Sequence, residues 1–96
     1  MIAITSVLDF YQKIREEYRS IVVYTSDGCV ACKRLKEWLD NQPASTPVFV
    51  VDVKQENLYS IVNVSTLPTL ELYEYTRVKD TVEGFQPERI QRWIKN

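Results

Sequence analysis

Apolar and polar positions in this chain alternate between two periods. Val7, Phe10, Tyr11, Ile14 and Tyr18 recur at the spacing of one helix face, with Asp9, Lys13, Arg15 and Glu16 on the other side. Ser6 and Asp9 stand at capping-box spacing, which puts the helix start near Ser6. The aromatic rings on this face read as core contacts. Ile21 to Ser26 is short and rich in β-branched apolar residues, the pattern of a strand buried on both faces. A helical pattern returns over Leu35-Lys36-Glu37-Trp38-Leu39 and runs to about Asn41. Asn41-Gln42-Pro43 stops it, because the residue before a proline is driven out of the α region.

Ala44 to Pro47 reads as a loop, and Val48 to Val53 as a second buried strand. Leu58, Ile61 and Val62 give Glu56 to Val62 enough apolar spacing for two helical turns. Leu70 to Tyr75 alternates apolar or aromatic residues with charged ones, as a half-exposed strand does. Thr76 to Asp80 is expected to turn the chain, and Thr81-Val82-Glu83 to return antiparallel. Pro87 suits the first position of a closing helix, whose apolar face is Ile90, Trp93 and Ile94. The predicted order is α-β-α-β-α-β-β-α. This is an α/β arrangement in which parallel strands with crossover helices precede a hairpin and a final helix.

Composition adds mostly exclusions. The 96 residues suffice for one domain, taken as 1–96, with 45% apolar and 26% charged residues. A net charge of −1 without a basic run offers no general attraction to nucleic acid or to a membrane surface. Met1 to Thr5 lacks the basic and long apolar regions of a secretory leader, and no apolar stretch reaches membrane-spanning length. The expectation is a cytoplasmic monomer.

The candidate chemistry lies between the first strand and the second helix, in Thr25-Ser26-Asp27-Gly28-Cys29-Val30-Ala31-Cys32-Lys33. Both cysteines of the chain stand there, one helical turn apart. A thiol at that junction faces the unpaired N–H groups and positive dipole end of the helix, which favour its thiolate, the reactive form. Asp27 opposes that effect, and Lys33 and Arg34 support it unless they are ordinary solvated residues. A slight tightening of the first turn brings Cys29 and Cys32 within disulfide reach. So small a loop stabilises a fold by only about 2 kcal/mol, which fits a bond that opens and closes better than a staple. Other readings are half of a zinc site, a passive disulfide, or two inert core thiols. With no histidine and no third cysteine, a zinc site would need carboxylates.

In its element order and in three motifs the chain resembles the thioredoxin family over nearly its whole length. Cys29 and Cys32 match the family's active-site turn, Leu67-Pro68-Thr69 its cis-proline segment, and Gly84 the glycine near the end of its last strand. Taken alone, Pro68 could simply open a strand, and Gly84 could mark a bulge or turn. The resemblance implies a three-layer α/β/α sandwich around a mixed sheet of about four strands. It implies that Cys29 attacks and Cys32, buried, resolves. It also implies a cis Leu67–Pro68 bond that leaves Thr66 and Leu67 free to pair with substrate backbone, beside Gly28, Val30 and Gly84. Three departures from the pattern stand out. Gly28 replaces a tryptophan, Val30-Ala31 a glycine-proline pair, and Val23 the buried aspartate that serves the resolving cysteine.

The implied function is reduction of protein disulfides through Cys29 and Cys32, with no metal, flavin or nucleotide cofactor. The electron donor would be a thioredoxin-reductase-like protein, or glutathione if the chain works as a glutaredoxin. The TVP sequence and paired glycines of glutaredoxins are missing. A third reading is a non-catalytic interaction module on the same fold, against which the two cysteines in register argue.

Overall fold

The computed structural model describes residues 1–43 and 45–95. Ala44, at the start of the expected loop, lies outside the described residues. The elements are β1 (Ile2–Ala3), α1 (Val7–Glu16), β2 (Arg19–Thr25), α2 (Val30–Asp40), β3 (Val48–Asp52), a 3₁₀ helix (Glu56–Ile61), β4 (Thr69–Glu74), β5 (Arg77–Glu83) and α3 (Pro87–Lys95). The strands form one five-stranded sheet in the order β1-β3-β2-β4-β5. β3 runs parallel to β1 and β2, while β4 is antiparallel to both β2 and β5.

Each face of the sheet carries its own core. Ile21, Val23, Leu70, Leu72 and Val82 pack under Leu35 and Leu39 of α2 and Ile90, Trp93 and Ile94 of α3. Val22, Tyr24, Phe49, Val51 and Tyr73 pack under Phe10 and Ile14 of α1 and Leu58 and Ile61 of the 3₁₀ helix. The alternation along β2 is thus apolar on both sides because both sides are covered. The layers are α/β/α, as the resemblance implied.

Five details differ from the sequence reading. The sheet has a fifth strand, β1, whose two exposed residues add to the edge of β3. So short a run carries no period. Glu56–Ile61 is a 3₁₀ helix rather than two α turns. The expected turn over Thr76 to Asp80 is mostly strand. β5 begins at Arg77, and the hairpin closes through Tyr75, which takes a left-handed φ of 52°. Tyr11 and Tyr18 are 49% and 60% exposed, so they are surface rings, and Tyr18 meets Tyr75 edge-on at 5.5 Å. Finally, β4 is not half-exposed. As an inner strand it turns Glu71 and Tyr73 into the α1 side, where Tyr24 Oη donates to Glu71 Oε1 at 2.7 Å and Tyr73 Oη at 3.3 Å.

The cap of α1 forms as read, with one change. Ser6 Oγ accepts the Asp9 N–H at 3.0 Å, but Asp9 Oδ2 accepts from Thr5 N rather than from the cap residue itself.

Candidate active site

Strand β2 delivers Thr25 to the end of the sheet, and three residues then turn the chain into α2. Gly28 takes a φ of +80°, a left-handed backbone that glycine adopts at little cost. A Cβ there would meet nothing within 4 Å, so conformation rather than crowding selects glycine. Val53 N bonds Thr25 O at 2.9 Å and Lys54 Nζ reaches Asp27 O at 3.4 Å, which ties this turn to the loop after β3.

Cys29 is the N-cap of α2. Its Sγ accepts the N–H of Cys32 at 3.2 Å, and its carbonyl closes the first turn with Lys33 N at 3.1 Å. The sulfur therefore sits on one of the N–H groups that a helix start leaves unpaired, where negative charge is stabilised. Cys29 and Cys32 form a disulfide with their Cα atoms 5.2 Å apart. Cys29 is half-buried and Cys32 is 2% exposed.

The disulfide opens on a cleft of about 300 Å³. Of the residues singled out in the sequence, Asp27, Gly28, Val30 and Lys33 line it together with both cysteines. Val30 is 68% exposed, an apolar side chain standing free beside Cys29. Arg34 is exposed and does not line the cleft. Ser26 and Lys36 do line it, and sequence reasoning passed over both. The signal for Lys36 was present, since it lies seven residues after Cys29 and so on the same helix face.

Thr66, Leu67, Pro68 and Gly84 do not line this cleft; the first three lie in the adjoining loop before β4, and Gly84 follows β5 beside it. Thr69 pairs with Tyr24, so Pro68 stands beside the strand end that carries the cysteine turn. The Leu67–Pro68 bond is cis. Gly84 N donates to Pro68 O at 2.7 Å, and Thr69 Oγ1 donates to Thr66 O, so loop and last strand are tied together. Thr66 is exposed, Leu67 half-buried and Pro68 buried.

Val23 is fully buried between Val50 and Leu70 in the ladder, within the apolar cluster that includes Leu35. Glu71, a half-buried carboxylate on β4, faces the opposite side of the sheet and accepts hydrogen bonds from Tyr24 and Tyr73. Burial, joined by the Glu71 carboxylate, drives the phenols of Tyr24 and Tyr73 well above the usual tyrosine range.

The thioredoxin family model matches residues 1–96. The chain belongs to the thioredoxin family. No curated protein matches it significantly by sequence. Among solved structures it is similar to a thioredoxin of Plasmodium falciparum at 24% identity and a TM-score of 0.83, over 99% of this chain and 97% of that one. It is similar to a thioredoxin of Fasciola hepatica at 20% identity and the same TM-score, with the same coverage. A third similar structure concerns thiol resolution in a yeast mitochondrial 1-Cys peroxiredoxin via glutathione/thioredoxin systems. It has 15% identity and a TM-score of 0.79, over 99% of this chain and 93% of that one. At these identities the structures establish the fold. Within the thioredoxin fold, then, this chain has Cys29 at the cap, Cys32 beneath it, and a valine at 23.

Proposed function

We propose that the protein is a thiol–disulfide oxidoreductase that reduces protein disulfides. The observation that carries this reading is the asymmetric pair at the start of α2. A reachable sulfur accepts a helix N–H, and it is bonded to a sulfur one turn deeper that solvent scarcely touches. In the reduced protein the Cys29 thiolate attacks one sulfur of a substrate disulfide. The substrate S–S bond breaks, one substrate sulfur leaves as a thiolate and takes a proton from water, and a mixed disulfide remains. Cys32 then loses its proton to water in the cleft and attacks Cys29 Sγ. The second substrate thiol departs, and the Cys29–Cys32 bond forms. An external dithiol returns two electrons and closes the cycle. No resident cofactor is needed. Thr66, Leu67, Pro68 and Gly84 form the rim on which the substrate backbone rests. The working compartment is the cytoplasm, where a lone cysteine pair is kept cycling.

The test is reduction of insulin driven by dithiothreitol and followed by turbidity. Acceleration over dithiothreitol alone supports the reading, and a rate equal to it refutes catalysis. Supplying either a thioredoxin reductase with its nicotinamide cofactor or glutathione as sole reductant decides the donor, and we expect the reductase to serve. The reduction potential of the Cys29–Cys32 pair fixes direction. A value near about −270 mV belongs to a reductant, and one near about −120 mV to an oxidant.

A further inference from the structure

Lys33 and Lys36 both line the cleft at the disulfide, and neither ammonium group bonds a described residue. They follow Cys29 by four and seven positions, so they lie on one stripe of α2. At the helical rise they stand about 6 and about 10 Å along the axis from Cys29. Lys54, reaching the Asp27 carbonyl, adds a third positive charge at the rim, and Asp27 is the one carboxylate among the lining residues. From these unpaired lysines beside the reactive sulfur, we infer that the protein prefers disulfides of acidic segments, with a carboxylate two or three residues from the substrate cysteine.

The spacing follows if the substrate segment after the cysteine leaves the rim at Cys29 and runs along α2. An extended peptide on that course advances about 3.3 Å per residue, so its second and third residues past the cysteine come level with Lys33 and Lys36. Val30, exposed at the mouth, takes an apolar side chain directly beside the substrate sulfur. An exposed ion pair changes an equilibrium by a factor of about 1.5 to 5, so two give a selective but modest effect. The inference rests on the reductase reading and names the substrate class of that same site.

The test uses peptides carrying one cysteine as its 4-pyridyl disulfide, with Asp, Asn or Lys at the second and third following positions. Release of 4-thiopyridone by the reduced protein is compared with its release by dithiothreitol from the same peptide. After that correction the Asp peptide should react about three- to tenfold faster than the Asn peptide, and the Lys peptide slower than either. In 1 M salt, where the screening length is about 3 Å, the ratio should approach one. Lys33→Glu with Lys36→Glu should invert the order. Equal corrected rates at low salt, or an order that survives charge reversal, would overturn the inference and leave the reductase reading standing. Failure of every peptide to react faster with the protein than with dithiothreitol would sink the reductase reading, and the inference with it.

Discussion

Cys29 and Cys32 are one turn apart in sequence, yet only Cys29 can be reached, since Cys32 is 2% exposed. Cys32→Ser should therefore accumulate a stable mixed disulfide between Cys29 and substrate, because nothing remains to attack it. Cys29→Ser should trap little, as a thiol in apolar surroundings is held in its unreactive protonated form. Non-reducing gels of both variants with an oxidised substrate check this, and equal trapping would refute the ordered mechanism. Val23 poses the complementary question. Val23→Asp should speed decay of the mixed disulfide near neutral pH by supplying a proton acceptor in the sheet, read by stopped flow. It should also cost about 2–4 kcal/mol of stability, since the carboxyl enters an apolar cluster without a partner. Its folded pKa is raised, so the penalty should grow as pH climbs above the ordinary carboxylate range. A rate that is unchanged or slower in the folded variant would count against any need for that acid.

At the scale of elements, β4 shows how a charged residue is kept in an inner strand. Glu71 is half-buried and holds its place through hydrogen bonds from Tyr24 on β2 and Tyr73 on β4 itself. Tyr24→Phe removes the shorter bond and should lower stability by about 1.5–3 kcal/mol, the range for hydrogen bonds to a charged group. The pH dependence has a definite sign. Both phenols titrate higher in the folded chain than in the unfolded one, so the wild type keeps their contribution below the ordinary tyrosine range. It loses that contribution as pH rises beyond it. Urea denaturation between pH 8 and alkaline values should show stability falling by up to about 1.4 kcal/mol per pH unit for each tyrosine. The fall should be shallower in Tyr24→Phe, and identical slopes would refute the assignment.

For the molecule as a whole, the packed clusters lie apart from the disulfide proposed to do the chemistry. The two clusters bury Ile14, Val22 and Leu58 on one face and Ile21, Leu35, Leu70, Val82 and Ile90 on the other, each at 1% exposure or less. Neither cluster includes Cys29 or Cys32, whose bond closes a very small loop. Reduction should lower the unfolding free energy by at most about 2 kcal/mol and leave a single cooperative transition. Urea denaturation of oxidised and reduced protein checks this. A reduced chain without cooperative unfolding would make the disulfide a structural staple and weaken the proposed cycle.

What the sequence determined by itself is what depends on neighbours within a few residues. Periodicity gave α1, β2, α2, β3 and α3; Ser6 and Asp9 gave the cap; and the cysteine spacing at a strand–helix junction gave the pair that closes the disulfide. The tertiary structure decided whatever depends on partners far along the chain. β1 is a strand because Ile2 and Ala3 find the β3 edge. β5 is long because Arg77 to Glu83 is held against β4 across a turn that Tyr75 makes with a left-handed φ, a conformation that composition does not signal in tyrosine. Tyr11 sits on the apolar stripe of α1 but emerges at its margin, while Tyr18 falls beyond the helix, which ends at Glu16, and meets Tyr75 instead. Glu71 looks like an outward charge until two phenols 47 and 2 residues away in sequence turn it inward. Lys36 reads as a surface lysine until the fold opens a cleft that it shares with Cys29. Local spacing fixes which side chains share a face, and only the packed sheet fixes what that face meets.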